Sequence, residues 1–317
     1  LAEMEALAQD ISTETGNTNV EGIALVMKSY IFSVLTAAYG DIPYTEAISG
    51  VNGDDFFPAY DRQEDIYLGS EGLLSELARA NDLLDPALGG VGGDILFDSD
   101  VMKWKKFCNS LRLRLLMHVS NKIDVSTDFN RIVENEPIME SNDDNAALNY
   151  LGSFPNEFPL IPLKQGDFDA VVMSDRSVSV LQNYDDPRLG RYARPDNILS
   201  LDSEDPIYDG ADNGSENADL CDKSGSRLGL PYFNYPGHPI ASQADGLLMT
   251  YAELEFLLAE AALKGWITGD VESHYRAGIQ ASMNYYNVDY EAFGWTDFDD
   301  FYDNSGVAYD MNNPIQI

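Results

Sequence analysis

Residues 250–286 read TYAELEFLLAEAALKGWITGDVESHYRAGIQASMNYY. Leu254, Leu257, Leu258 and Ala261 recur three and four apart, as do Tyr275, Ile279 and Met283. Both sets fit one face of a helix. Gly265 to Gly269 interrupts the pattern, and Asp270 is suited to cap the second helix. Small Ala and Gly residues let two such helices pack closely. The pair is near the length of a tetratricopeptide unit, about 34 residues, and LAEAALKGW followed by VESHYRAGI approximates that pattern. The fold class this predicts is all-α: an irregular tetratricopeptide-like helical repeat domain with long ligand-binding loops.

Working back from this hairpin, SDVMKWKKFCNSLRLRLLMHVSN places Trp104, Phe107, Cys108, Leu111, Leu115 and Val119 on one helical face. Residues 61–85 return to helical spacing through Ile66, Leu73, Leu74, Leu77 and Leu84. Asp61 and Glu64 there form a capping box. Residues 20–39 form a helix so apolar that Ile23 to Tyr39 is about the shortest length that spans a bilayer. Lys28 lies inside it, which favours a buried core helix. The segment YGDIPYTEA, 39–47, ends that helix. Gly40 suits the stop, and Pro43 pushes Ile42 to an extended conformation. Residues 1–10 also read as helix, followed by a polar turn, STETGNTN. Short helices are expected over 126–140 and 177–184. From about 141 to 245 the texture is a loop-rich insertion dominated by Gly, Pro, Asn, Asp and Ser. The expectation is one α-helical domain over residues 1–317.

Composition limits the partners. The 317 residues carry 54 Asp and Glu against 19 Lys and Arg, a net charge of −35. Nucleic-acid phosphate and anionic headgroups are repelled by such a surface, so no nucleic-acid partner is expected. Neutral molecules, cations and basic surfaces remain. The two cysteines, Cys108 and Cys221, show no metal-ligand spacing, and no bridge between them is read.

Motifs for catalysis are absent: no G-x-S-x-G, H-E-x-x-H, Walker loop or dinucleotide fingerprint occurs. His118 and His274 fall in helical patterns, whereas His238 sits in the turn NYPGHPI. The Asp-rich runs NGDD, SNDDNA, DNGSENADLCD and DFDDFYDNSG do not match the calcium-loop spacing and read as solvated loops, so neither metal nor cofactor is expected. Loop aromatics are more telling. Phe56, Phe57, Tyr192, Tyr208, Tyr232, Phe233, Tyr235 and Trp295 lie among Gly, Pro, Asn and Asp. A ring covers the C–H face of a sugar while neighbouring polar groups take its hydroxyls. Trp104 and Trp266 read as structural. Trp295, in EAFGWTDF, either presents its indole to a sugar or folds onto the core. The site expectation is Trp295, with Tyr232, Phe233, Tyr235, Phe56 and Phe57 behind it.

Several segments together resemble the SusD/RagB-like family, in its branch of SusD-like starch-binding outer-membrane proteins. They are YGDIPYTEA, YDRQEDIY at 60–67, GDILFDSDVMKWKKFCNSLRLRLLMHVS at 93–120, DPRL at 186–189, TYAELEFLLAEAALKGW at 250–266 and GIQASMNYY at 278–286. They occur in the family's order along almost the whole chain. The resemblance implies a non-catalytic, lipid-anchored protein on the extracellular face of the outer membrane. It also implies a SusC-like TonB-dependent transporter as partner, glycan as ligand, and YGDIPY as a hinge between the buried helix and the ligand-side loops. A family leader with its lipid-bearing cysteine, and a C-terminal segment with a Trp and paired arginines, are not in these residues, so the chain is read as incomplete at both ends. Two other functions stay open: a helical glycoside hydrolase using two of the many acids, and a peptide-binding or scaffold member of the same fold.

Overall fold

A computed structural model describes residues 2–47, 56–150, 171–195, 207–214, 225–229 and 245–313. Along the chain run α1 (Ala2–Thr15), α2 (Asn19–Tyr39), α3 (Gln63–Leu68), α4 (Leu73–Leu83), α5 (Val101–Val119) and α6 (Ser126–Asn135). Then come β1 (Ala146–Leu148), α7 (Asp175–Asn183), α8 (Leu189–Tyr192), β2 (Gly246–Met249), α9 (Tyr251–Leu263), α10 (Val271–Tyr286) and α11 (Phe298–Asn304). The fold is mostly helical, as expected. Among the described residues the one sheet is the two-stranded pair β1–β2. The chain clusters into two compact units, Leu1–Ala146 with Met249–Val271, and Ala147–Leu248 with Glu272–Ile317. Both helices of the opening stretch are present, and the division falls at the start of α10, so α9 belongs to the first unit and nearly all of α10 to the second.

In the first unit α2 packs on α1 and α4, α4 on α5, and α5 on α6 and α9. The core contains Leu25, Ile66, Leu77, Phe107, Leu111, Phe129 and Leu254, all fully buried. Gly22 permits the close approach of α2, since a Cβ there would stand 2.9 Å from the Leu84 side chain. The apolar α2 is long enough to cross a membrane by length and composition, and 44% of its most apolar window is buried in this unit. Burial pushes the Cys108 thiol up to about 12. Trp104 is buried and donates to Asp94 at 2.7 Å, and Trp266 lies against Phe129 at 5.6 Å. Polar members of NSLRLRL reach out of α5. Asn109 donates to Asn81 and to the Pro137 carbonyl, the Ser110 hydroxyl accepts from the Met139 N–H, and Arg114 grips both oxygens of Glu253 on α9.

Two local expectations are corrected. The helix read over 61–85 breaks between Leu68 and Leu73, where Gly69 and Gly72 crowd the backbone of Asp65 and Ile66 closely enough that neither tolerates a Cβ. Asp61 does not cap it. Its carboxylate instead accepts the N–H groups of Tyr44 at 2.9 Å and Thr45 at 2.8 Å, with the Thr45 hydroxyl at 3.0 Å. The first N–H of α3, on Gln63, is taken by Asp41 at 2.8 Å. Ile42 and Asp61 bridge antiparallel, and the Tyr44 hydroxyl donates to the Glu71 carbonyl. The YGDIPYT segment is thus a clasp, exchanging carboxylates with the start of α3. Gly40, at φ 74° and ψ −123°, makes the turn out of α2.

Candidate functional site

The second unit carries a cleft of about 580 Å³ lined by Arg191, Tyr208, Asn287, Asp289, Tyr290, Glu291 and Phe293, among others. That volume is in the range of small-ligand sites. Two segments, 185–193 and 287–296, build it together with Tyr208, and side chains of each segment hold backbone carbonyls of the other. Arg191 donates through Nε to the Asn287 carbonyl at 3.0 Å, and through its Nη2 as well. Trp295 donates its indole N–H to the Asp185 carbonyl at 2.8 Å. The two gripped residues, Asp185 (φ 46°) and Asn287 (φ 47°), have left-handed backbone that Asp and Asn adopt more readily than other side chains.

DPRL has a structural explanation here. Asp186, 2% exposed, accepts the Arg188 N–H at 2.9 Å and the Arg188 guanidinium in a fork at 2.6–3.2 Å. Arg188 also donates to Ser282 on α10 at 3.1 Å, and Leu189 is buried. Burial works against the Arg188 charge, but Asp186 more than offsets it, so its pKa is raised.

The apolar part of the cleft is a pair of rings. Tyr208 and Phe293 stack with centroids 6.4 Å apart and planes 29° apart. They rest on a buried cluster of Val178, Leu189 and Ala193. Gly190 makes room, because a Cβ there would stand 3.1 Å from the Phe293 ring. Burial raises the pKa of both the Tyr208 and the Tyr290 hydroxyl. The Tyr290 hydroxyl is buried and, among the described residues, has no hydrogen-bond partner. Asp289 and Glu291 are exposed at the rim.

Trp295 is half-buried beside this cleft, one residue before Thr296, which lines it. Its ring meets fully buried Phe301 edge-on at 5.8 Å. Its N–H is spent on Asp185, so a ring face, not the donor, is what it has left for a ligand. Phe56 and Phe57 belong to the first unit and are 74% and 90% exposed. Tyr232, Phe233, Tyr235, His238 and Cys221 lie outside the described residues. Sequence reading picked out Tyr208 as a loop aromatic. It missed Phe293, although Phe293 stands two residues before Trp295 in the same turn, and it missed Arg191 and Asn287.

The two Asp-rich runs within the described residues, SNDDNA and DFDDFYDNSG, serve local structure; NGDD and most of DNGSENADLCD lie outside them. Asp297 caps α11 by accepting the Asp300 N–H, Asp300 accepts from Thr296 and Asn304, and Asp144 pairs with Lys106 at 2.9 Å. Among the described residues no group of three or more His, Cys, Asp or Glu is placed to hold a metal ion. The first unit holds a second cavity of about 360 Å³, lined by Glu5, Lys28, Tyr44, Glu71, Glu76 and Arg79, among others.

A family model of SusD-like proteins, described as starch-binding and associating with the outer membrane, matches residues 1–316. The chain belongs to the SusD-like family. Among solved structures, a SusD homologue from Bacteroides fragilis is similar at 28% identity and a TM-score of 0.74, covering 92% of this chain and 64% of its own. A chitin-binding protein matches at 28% identity and a TM-score of 0.71, over 90% of this chain and 61% of that one. A chitin-binding SusD homologue from Flavobacterium johnsoniae matches at 25% and 0.69, over 89% and 56%. The SusD-like chain therefore spans about three-fifths of the length of these relatives. No curated protein matches it.

Proposed function

We propose that the protein binds glycan without turning it over, in the second unit's cleft, with the Tyr208–Phe293 pair as the platform for a sugar ring. The observation that carries this reading is that stacked pair, set on a buried cluster beside polar side chains in a SusD-like chain. Asn287 and the two rim carboxylates are suited to take hydroxyls. A face of Trp295 extends the platform, and Tyr232, Phe233 and Tyr235, outside the described residues, stay candidate glycan contacts from the sequence alone. Phe56 and Phe57 offer an exposed accessory surface on the first unit. In its biological setting the protein sits on the outer face of the outer membrane through a lipid anchor and passes glycan to a SusC-like TonB-dependent transporter. The family's description and its chitin-binding relatives support a glycan ligand.

Calorimetry with starch- and chitin-derived oligosaccharides tests the site. Phe293→Ala is expected to weaken the best ligand by more than about 2 kcal/mol. Phe293→Leu keeps the packing on the Val178 cluster but removes the ring, and should weaken binding while the fold persists. Unchanged affinity in the Leu variant refutes the platform. Reducing ends released by wild type, but not after loss of one carboxylate, refute the non-catalytic reading.

A further inference from the structure

We infer that the cleft selects glycans by charge, accepting neutral and amine-bearing chains and rejecting carboxylated or sulfated ones, with Asp289 and Glu291 as the selecting residues. The inference rests on the glycan reading and adds the class of glycan. The segment that supplies most of the lining, residues 287–296, carries two carboxylates, Asp289 and Glu291, and no Lys or Arg; five more acids follow it over 297–310 (Asp297, Asp299, Asp300, Asp303 and Asp310). Asp299 is answered by Arg276, and Asp297 and Asp300 by backbone and side-chain donors of their own turn. Asp289 and Glu291 are exposed cleft-lining carboxylates. The cation lining the same cleft is Arg191; it is turned onto the Asn287 carbonyl but keeps its charge, so the lining holds two carboxylates against one guanidinium. A sugar carboxylate entering beside Tyr208 and Phe293 therefore meets a net like charge, two carboxylates offset in part by Arg191, whereas a sugar amine meets a net opposite one. At about 6 Å in water one net charge is worth roughly a threefold change in affinity at low salt.

The test uses matched oligomers, so that sugar stereochemistry is constant: starch- and chitin-type oligosaccharides, each with its C6-carboxylated form, plus the deacetylated chitin form at a pH where its amines are charged. Calorimetry is run at about 0.01 M and about 1 M salt. The carboxylated form of the best neutral ligand should bind roughly threefold more weakly at low salt. That gap should shrink at high salt, and should close or reverse in the Asp289→Asn/Glu291→Gln double variant, where Arg191 is the lining charge that remains. The amide oxygen introduced there can still accept the Ala292 N–H that Asp289 now accepts, so the turn is kept. The amine form's response should run the opposite way. A carboxylated form that binds as tightly as its neutral parent, or a gap unmoved by both salt and the double variant, overturns charge selection and leaves glycan binding standing. If no oligomer of the set binds wild type, the glycan reading fails and the charge rule fails with it.

Discussion

Two cavities among the described residues use charge in opposite ways. In the first unit, Lys28 Nζ lies 2.8 Å from Glu5 and 3.1 Å from Glu76, Arg79 pairs with Glu21 and reaches Glu5, and the ammonium sits over the Tyr44 ring at 5.4 Å. These charges are answered by one another across α1, α2 and α4. In the second unit, the cleft's cation grips backbone, its carboxylates face solvent, and its centre is a pair of rings. A closed polar network fixes helices, whereas an aromatic face with exposed carboxylates beside it is left for a ligand. The first cavity is therefore read as structural and the second as the site.

The hardest test of that contrast is Lys28→Met. Glu76 is 6% exposed, and its Oε2 has no well-formed hydrogen bond, only the ion pair. Removing Lys28 strands a buried carboxylate and should cost roughly 3 kcal/mol in chemical denaturation. Burial raises the Glu76 pKa and Lys28 opposes it without cancelling it. A raised carboxyl favours the fold while protonated, and that advantage is lost as pH rises from about 4.5 through the folded value. Glu76→Gln should thus gain on wild type as pH climbs from about 4 to 7. Glycan affinity should not follow either substitution. If Lys28→Met abolishes binding in a folded protein, the assignment of roles to the two cavities is wrong.

Asp61→Ala comes next, at about 1 kcal/mol, since the site is partly exposed. Burial alone would raise this carboxyl, but the N–H groups of Thr45 and Tyr44 and the Thr45 hydroxyl hold it below its ordinary value. Its contribution is present above about pH 4 and is lost as pH falls through the lowered value. Wild type and variant should converge in stability in acid; a constant difference down to about pH 2 would remove the clasp's electrostatic basis.

Asp61 also shows where sequence reading stops. Its sequence neighbours, Glu64 and an apolar run, make it a helix cap, yet two N–H groups 16 and 17 residues back compete for it and win. Periodicity is local, so α2, α5, α9 and α10 were legible from the spacing of Leu, Phe and Trp. The choice among partners for one carboxylate is not local. The cleft was hidden for the same reason. Arg191 and Asn287 meet across 96 residues, and Tyr208 meets Phe293 only after both loops fold. What the sequence did carry was the excess of aromatics in those loops, which put Trp295 first and left out Phe293.

Trp295→Phe sharpens that ranking. It keeps a ring against Phe301 and removes the N–H bonded to the Asp185 carbonyl. As a strut, Trp295 should cost about 1 kcal/mol of stability on this change, with glycan affinity falling less than in Phe293→Leu. The reverse order, unchanged melting with a larger loss of affinity, would move the platform to Trp295.

The smallest expected effect is at Tyr290. Its ring lines the cleft, but its hydroxyl is buried without a partner among the described residues. An unmet hydroxyl carries its desolvation cost and contributes no bond in return, so removing it relieves the fold. Tyr290→Phe should leave stability within about 0.5 kcal/mol of wild type or raise it slightly. The Arg188–Asp186 pair beside it should be undisturbed, since the ring stays. A loss above about 1 kcal/mol would mean that the hydroxyl is bonded, most simply through a water. Unchanged stability with weakened glycan binding would place that hydroxyl among the ligand's donors, and would extend the cleft from the Tyr208–Phe293 platform toward Arg188.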